Sequence, residues 1–146
     1  MLFSLCGLFA SPLAALESFA VSKLGIASGG KTHSFTVELA LTPAQRAQGL
    51  MWRRRIPADG GMLFLYPTDR VIQMWMKNTL IPLDMLFIDR AGLIVRVKQR
   101  AVPGSLAPIS SGLRARAVLE LRGGTAARLG LKTGDRVLHR AFGTRP

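Results

Sequence analysis

The residues with the most potential for chemistry lie in one stretch, residues 74–89, which reads MWMKNTLIPLDMLFID. Lys77, Asn78 and Asp84 interrupt an otherwise apolar run. Burying a polar or charged group costs free energy unless the group is paired. These three residues therefore need a partner, a ligand or a position at an edge, and they predict that a site lies here.

Residues 71–78 alternate with a period of two, so a strand would divide them between two faces. Trp75 would share one face with Gln73 and Lys77, while Met74 and Met76 would lie on the other. An aromatic ring beside an amide and an ammonium is typical of a surface on which a ligand stacks. Together with Asn78 and Asp84, these residues predict a ligand site. The alternative is a structural Trp75 packed beneath residues 103–116, with Lys77 extending to water.

Two acidic residues fall inside apolar segments, Asp84 before MLFI and Glu120 within VLELR. Two converging carboxylates permit hydrolysis of the glycosidase type. Each acid can instead form a structural ion pair, and Asp84 can cap the turn at residues 78–82. A hydrolase using Asp84 and Glu120 is therefore an alternative, and we favour a protein that is not an enzyme.

Soft metal binding is a further alternative. Met74, Met76 and His33 could hold Cu(I) through thioether and imidazole ligands, although methionine also fills irregular core gaps. His33 and His139 are the only histidines, and neither GxSxG nor HExxH occurs. We expect both histidines at the surface and predict no cofactor.

The chain carries a formal net charge of +12, from 20 basic against 8 acidic residues. Such an excess favours anionic partners. Arg96, Lys98 and Arg100 alternate along one predicted strand and, with residues 53–55 and with Arg114 and Arg116, would form a phosphate-binding patch. Aromatic residues are sparse around them, so nucleic acid is not favoured. A solvated outer sheet face, or charges that protect an edge strand, is the alternative.

The amino-terminal residues 1–16 carry no charged side chain. This run is short for a bilayer span but fits a signal peptide cut after Ala20. We expect a leader at 1–20, a Ser/Gly-rich linker entering a first hairpin at 21–34, and one domain at 35–146. The mature protein would be exported, periplasmic or secreted, with no stable membrane anchor. Because Cys6 is the only cysteine, the mature chain would have none.

Short alternating segments separated by turn residues predict the elements that position these side chains. A helix begins after Thr42, with Pro43 and Gln45 forming a capping box, and ends at Gly49. Strands are expected at 35–41, 61–66, 71–77, 83–89, 93–100, 117–122 and 136–140, a helix at 125–129, and a long loop at 101–116. The pattern predicts a mainly β fold, a single antiparallel sandwich or barrel with two short helices.

Five segments carry a family resemblance: RAQGLM (46–51), GMLF (61–64), MWMKNTLIPLDMLFID (74–89), VLEL (118–121) and GTAARLGLKTGDRV (124–137). They resemble the DUF192 (UPF0127) family of uncharacterised proteins. The resemblance implies a compact, jelly-roll-like β domain, often behind an export signal, and implies no activity or catalytic residue. We therefore expect a non-catalytic ligand-binding or accessory domain of the cell envelope, whose partner is a carbohydrate, another small polar ligand or an envelope polymer.

Overall fold

The computed structural model describes residues 15–146, which form seven β-strands, two short α-helices and one 3₁₀ turn. In chain order they are β1 (Ala20–Ser28), β2 (Lys31–Ala40), α1 (Pro43–Gln48), β3 (Gly60–Met74), β4 (Leu83–Ile88), β5 (Ile94–Ala101), β6 (Ile109–Arg122), α2 (Thr125–Leu129), β7 (Arg136–Leu138) and the 3₁₀ turn Arg140–Phe142.

All seven strands belong to one sheet, in the order β5, β4, β6, β3, β2, β1, β7. The sheet curls into a half-barrel. Its two edges meet at one end, where Leu93 bridges to Arg136 and the Val137 amide donates to the Gly92 carbonyl at 2.7 Å. Ile94 and Val137 consequently share one hydrophobic cluster inside the curl, which we call the inner core.

The other face of the sheet carries a second cluster, the outer core, because alternate residues of each strand point away from the inner core. Leu63 and Leu119 are inner, whereas Met62, Phe64 and Val118 are outer. Leu50 and Ile56, from the segment that follows α1, cover part of the outer core. The central strands are therefore buried on both faces, which explains their nearly continuous apolar sequence.

The mainly β, barrel-like fold with two short helices is confirmed. The capping box of α1 is present as expected, with Gly49 as C-cap. One strand pair differs from an antiparallel barrel: β2 and β3 are parallel, joined by a crossover through α1. Parallel neighbours need such a crossover, whereas antiparallel neighbours can be joined by a tight turn.

Several boundaries differ from the sequence prediction, three of them substantially. Residues 21–34 are not a linker, because they form β1, a tight turn at Gly29 and Gly30, and the start of β2. The predicted turn at residues 67–69 lies inside β3, where a register shift against β6 accommodates Pro67. Proline has no amide hydrogen to donate to the neighbouring strand, and at a bulge no such hydrogen bond is required. The predicted 101–116 loop ends at residue 108, because β6 begins at Ile109.

Residues 1–14 of the predicted leader lie outside the described part of the chain. The described residues before β1 contact α1: the Glu17 amide donates to Gln48 Oε1 at 2.7 Å, and Gln45 Nε2 donates to the Ser18 carbonyl at 2.8 Å. Within residues 15–146, no helix is long and apolar enough to cross a bilayer.

Candidate functional site

An open cleft of about 580 Å³ lies where three loops meet, and we call it the tryptophan cleft. The loops follow α1, β3 and β5. Its lining residues are Trp52, Lys77, Asn78, Thr79, Leu80, Pro103, Gly104 and Leu106. A concave surface with aromatic and aliphatic walls and a few polar groups is the usual form of a small-molecule site.

Two residues of the tryptophan cleft have an unusual backbone conformation. Trp52 has φ 66° and Asn78 has φ 52°. Positive φ is uncommon outside glycine and is a real outlier for a bulky residue. The Trp52 amide donates to the Asn78 carbonyl at 2.9 Å, so the two outliers stabilise each other. Strained residues of this kind cluster at binding sites, where the surrounding structure holds them.

The third loop is held to the second by main-chain hydrogen bonds. The Gly104 amide donates to the carbonyls of Met76 (3.0 Å) and Thr79 (3.1 Å), and the Met76 amide donates to the Ser105 carbonyl at 3.0 Å. The Met76 side chain is buried in the outer core. All three walls are thus fixed to each other and to the core, so the cleft exists before any ligand arrives.

The side chains around the tryptophan cleft are unusually apolar for a surface. Trp52 is 59% exposed, Leu80 48% and Leu106 64%. Single exposed apolar residues are common, but a contiguous group around a concavity marks an interaction site. Lys77 and Asn78 add an ammonium and an amide to this surface. The cleft therefore offers an aromatic face for stacking and polar groups for orientation.

The structure brings together only part of the ligand site predicted from sequence. The burial alternation holds, since Ile72 and Met76 are buried while Gln73, Trp75 and Lys77 are exposed. Lys77 and Asn78 line the cleft, whereas Gln73 and Trp75 do not. β3 ends at Met74, so Trp75 lies just beyond the strand. The Lys77 ammonium lies 5.1 Å from the centre of the Trp75 ring, a cation–π contact.

Asp84 is fully buried on β4 and accepts three main-chain hydrogen bonds. Its donors are the amides of Arg100 (2.8 Å), Gly124 (3.2 Å) and Ala126 (2.8 Å). Gly124 is the N-cap of α2 and has no side chain of its own to cap it. Asp84 therefore supplies the cap from a neighbouring strand. Its partners are main-chain amides, and it caps α2 instead of the turn at residues 78–82.

Glu120 is buried on the opposite face of the sheet from Asp84. In the β4–β6 ladder Asp84 faces Leu121, an inner-core residue, whereas Glu120 faces Met85 of the outer core. The two carboxylates do not converge, so the glycosidase-type pair considered from sequence is not formed. Burial raises the pKa of Glu120 to about 8. The carboxyl is therefore largely neutral at pH 7, and a neutral carboxyl costs less free energy to bury than a charged one.

The predicted cationic face on β5 is divided by a bulge. The β4–β5 register shifts between Leu83 and Met85, and Arg100 takes φ 48° there. Its guanidinium packs against the Cα side of Gly124, 3.1 Å from where a Cβ would stand. Arg96 instead donates to the Ser110 carbonyl, and Lys98 is half-buried opposite Met85. The three cations therefore do not form one patch.

Among the residues considered for copper, His33 on β2 is separated from Met74 and Met76 by the length of β3. β2 runs parallel to β3 with Thr36 opposite Gly60, so His33 lies beyond the first residue of β3, whereas Met74 is its last. Met76 is buried in the outer core, and Tyr66 Oη lies 3.6 Å from the Met74 sulfur. Within residues 15–146 no three His, Cys, Asp or Glu side chains group as metal ligands.

His139 is buried, contrary to the expectation of a surface position. Its Nε2 lies 2.9 Å from Ser22 Oγ, and its Nδ1 accepts from the Ala141 amide at 3.1 Å. Burial, and secondarily the Arg140 charge, lower the pKa of this imidazole. A neutral ring that accepts at Nδ1 carries its hydrogen on Nε2. It therefore donates to Ser22 and does not act as a base that would activate this serine.

Trp52 is the residue of the tryptophan cleft that sequence reasoning did not select. It follows GLM in a loop with no periodicity, next to three arginines. The available signal was a large aromatic residue in a polar, turn-rich loop, where no strand or helix would bury it. Its positive φ and its bond to Asn78 are tertiary features that no local pattern encodes.

The DUF192 profile, described as "Uncharacterized ACR", matches residues 25–139, which include every strand from β2 to β7 and the second half of β1 from Gly25. The chain belongs to the DUF192 family. A crystal structure of a Sinorhizobium meliloti 1021 protein, described as a "putative transcription regulator", is similar to this DUF192 domain with 46% identity and a TM-score of 0.84, covering 87% of this chain and 99% of that one.

A second similar crystal structure, of a Novosphingobium aromaticivorans DSM 12444 protein of unknown function, has 35% identity to this chain and a TM-score of 0.80. The alignment covers 86% of this chain and 94% of that chain. No curated protein matches. The comparisons thus agree with the fold of this DUF192 domain.

Proposed function

We propose that this DUF192 protein is a non-catalytic ligand-binding domain of the cell envelope, and that the tryptophan cleft is its site. The exposed indole of Trp52, set beside Lys77 and Asn78 in a cleft whose backbone is already fixed, carries the proposal. A fixed site loses little conformational entropy when a ligand binds, so binding energy is not spent on ordering loops. An export signal at residues 1–20 would deliver the domain to the envelope.

The lining favours a small ligand that has both a flat or ring-shaped apolar face and polar substituents. A sugar ring fits this description, because its C–H face can pack on an indole while its hydroxyls reach an amide and an ammonium. Two leucines that line the same cleft, Leu80 and Leu106, extend its apolar surface. We therefore place carbohydrates first among ligands, and other small polar metabolites with one apolar face second.

A screen of mono- and oligosaccharides and polar metabolites against the purified protein tests this site. We expect a ligand whose affinity falls at least tenfold, which is about 1.4 kcal/mol, in Trp52→Ala. Lys77→Met keeps the aliphatic stem and removes the charge, so it should weaken binding less. Calorimetry measures each dissociation constant.

Trp75→Phe is the matched control, because Trp75 is also an exposed tryptophan but does not line the cleft. Its affinity should stay within about twofold of the parent. A ligand that depends on Trp75 and not on Trp52 would place the site elsewhere. Failure of the whole panel to bind would remove support for the carbohydrate and metabolite classes.

A further inference from the structure

A second cleft, of about 450 Å³, is lined by three arginines, and we call it the arginine cleft. Its lining residues are Arg54, Arg55, Ile56, Ile81, Pro82, Arg122 and Gly123. No acidic side chain is among them. The loop after α1 and the loop between β3 and β4 each line both clefts. They contribute residues 54–56 and 81–82 to the arginine cleft, and residues 52 and 77–80 to the tryptophan cleft.

Six of the eight acidic residues are engaged elsewhere. Glu38 pairs with Arg53 at 2.9 Å, Asp69 with Arg116 at 2.7 Å and Asp135 with Lys132 at 3.3 Å. Asp84 and Asp89 accept main-chain amides, and Glu120 is buried. Among residues 15–146, the arginines of the cleft form no ion pair. Three like charges around one concavity repel each other, and a bound anion would offset this repulsion.

The local structure explains why these arginines converge. Arg122 is the last residue of β6 and lies opposite Leu83, the first residue of β4. The Gly123 amide donates to the Pro82 carbonyl at 3.0 Å, which brings the end of β6 to the loop before β4. A Cβ at Gly123 would lie 2.8 Å from that carbonyl oxygen. Only glycine therefore permits this close approach without a shift of the backbone.

A fourth guanidinium packs against the residue that follows Gly123 of the cleft. It belongs to Arg100, which packs against Gly124 because the β5 bulge turns it toward α2. Guanidinium groups donate paired hydrogen bonds that match the oxygens of a phosphate, which a lysine ammonium does not do. The residues Ile56, Ile81 and Pro82 add an apolar wall to this cationic site.

We propose that the arginine cleft binds a phosphorylated small molecule through its phosphate group, with the apolar part of that molecule against Ile56, Ile81 and Pro82. This is a second site, independent of the ligand of the tryptophan cleft. The phosphate can belong to a soluble metabolite or to a lipid headgroup, and the arginines recognise the same group in both.

Calorimetry with inorganic pyrophosphate and with phenyl phosphate, in a phosphate-free buffer of low ionic strength, tests the proposal. We expect saturable 1:1 binding that weakens at least tenfold in the double variant Arg55→Gln with Arg122→Gln. Phenyl phosphate adds the apolar contact, so it should bind more tightly than orthophosphate titrated in the same way. Thermal unfolding of each variant shows whether the fold is retained.

The matched control is the double variant Arg90→Gln with Arg114→Gln, which removes the same charge. Arg90 follows the far end of β4, and Arg114 lies eight residues before Arg122 on β6, roughly 25 Å along the strand. Its affinity for pyrophosphate should change less than about twofold. Equal weakening by both double variants, or no saturable binding by the parent at about 10 mM pyrophosphate, would overturn the proposal.

Vesicles containing phosphatidylglycerol distinguish the two sources of phosphate. Sedimentation with vesicles that is reversed by pyrophosphate and lost in Arg55→Gln with Arg122→Gln identifies a lipid headgroup. Binding of the soluble phosphates without vesicle association identifies a metabolite. If the protein does not bind pyrophosphate, and its binding to vesicles or oligonucleotides is not displaced by pyrophosphate, there is no phosphate site in this cleft.

Discussion

Replacing Asp84 with alanine is expected to lower the free energy of unfolding by about 4 kcal/mol. The substitution leaves the amides of Arg100, Gly124 and Ala126 without their acceptor in the protein interior. Each buried donor that loses its partner costs about 1–3 kcal/mol. The loss also removes the cap of α2 and the tie between β4 and β5. Urea unfolding followed by circular dichroism measures the change.

Asp89→Ala is the control for this effect. Asp89 also accepts two main-chain amides, from Ala91 and Leu93 at 2.9 Å each, but it does so in a partly exposed turn. Water can replace the lost acceptor there, so the expected cost is about 1 kcal/mol. If Asp84→Ala is no more destabilising than Asp89→Ala, Asp84 does not hold α2 in place, and a role for this carboxylate in ligand binding should be reconsidered.

Replacing Glu120 with glutamine is expected to change how stability depends on pH. The unfolded chain releases this proton near pH 4.5, whereas the folded protein retains it until about pH 8. The folded state therefore binds more protons between these values, and the free energy of unfolding falls as the pH rises through this window. Each pKa unit is worth about 1.4 kcal/mol, so the loss is on the order of a few kcal/mol.

The Glu120→Gln variant should lack this decline, because an amide does not ionise in the same range. It should be more stable than the parent at pH 8, and the difference should vanish or reverse near pH 5. Chemical unfolding at intervals between pH 4.5 and 8.5 gives both curves, and Asp59→Asn, at an exposed position within the domain, should follow the parent. Parallel curves for parent and Glu120→Gln would mean that burial does not hold the proton.

Local alternation predicted much of this fold because most strands are half-buried or bounded by turn residues. The capping box at Thr42 and Gln45, the β4 and β5 strands and the α2 helix follow from such local signals. Bulges are not local in this sense. The β3 register shift that admits Pro67, and the β5 bulge that turns Arg100 away from Lys98, depend on the partner strand. The sequence pattern therefore predicts two strands where the structure has the single strand β3, and it predicts one shared face for three cations that the structure separates.

The two-faced sheet limits what a sequence can indicate about its acids. Asp84 and Glu120 lie in similar apolar segments, but adjacent strands display them toward opposite cores. Whether two strand residues share a face depends on their pairing register, and a shift of one residue reverses it. The residue pattern within one strand does not determine the register in which that strand pairs with its neighbour. Convergence of the two carboxylates therefore could not be decided from the sequence.

The candidate site was predicted in part for the same reason. Lys77 and Asn78 were found because polar residues in an apolar run need a partner. Trp52 was missed because its place depends on a hydrogen bond to Asn78 across a loop junction. Trp75 was favoured because of its strand periodicity, yet β3 ends one residue earlier and the ring turns to Lys77.

Crystals of the protein soaked with a set of small carbohydrates and ring-bearing polar fragments test the central claim most directly. We expect electron density in the tryptophan cleft, with a ring packed on the Trp52 indole and a polar group toward Lys77 and Asn78. Two results would contradict the assignment of the ligand site. One is that fragments bind another surface while this cleft stays empty, and the other is that the three loops close the cleft in the crystal.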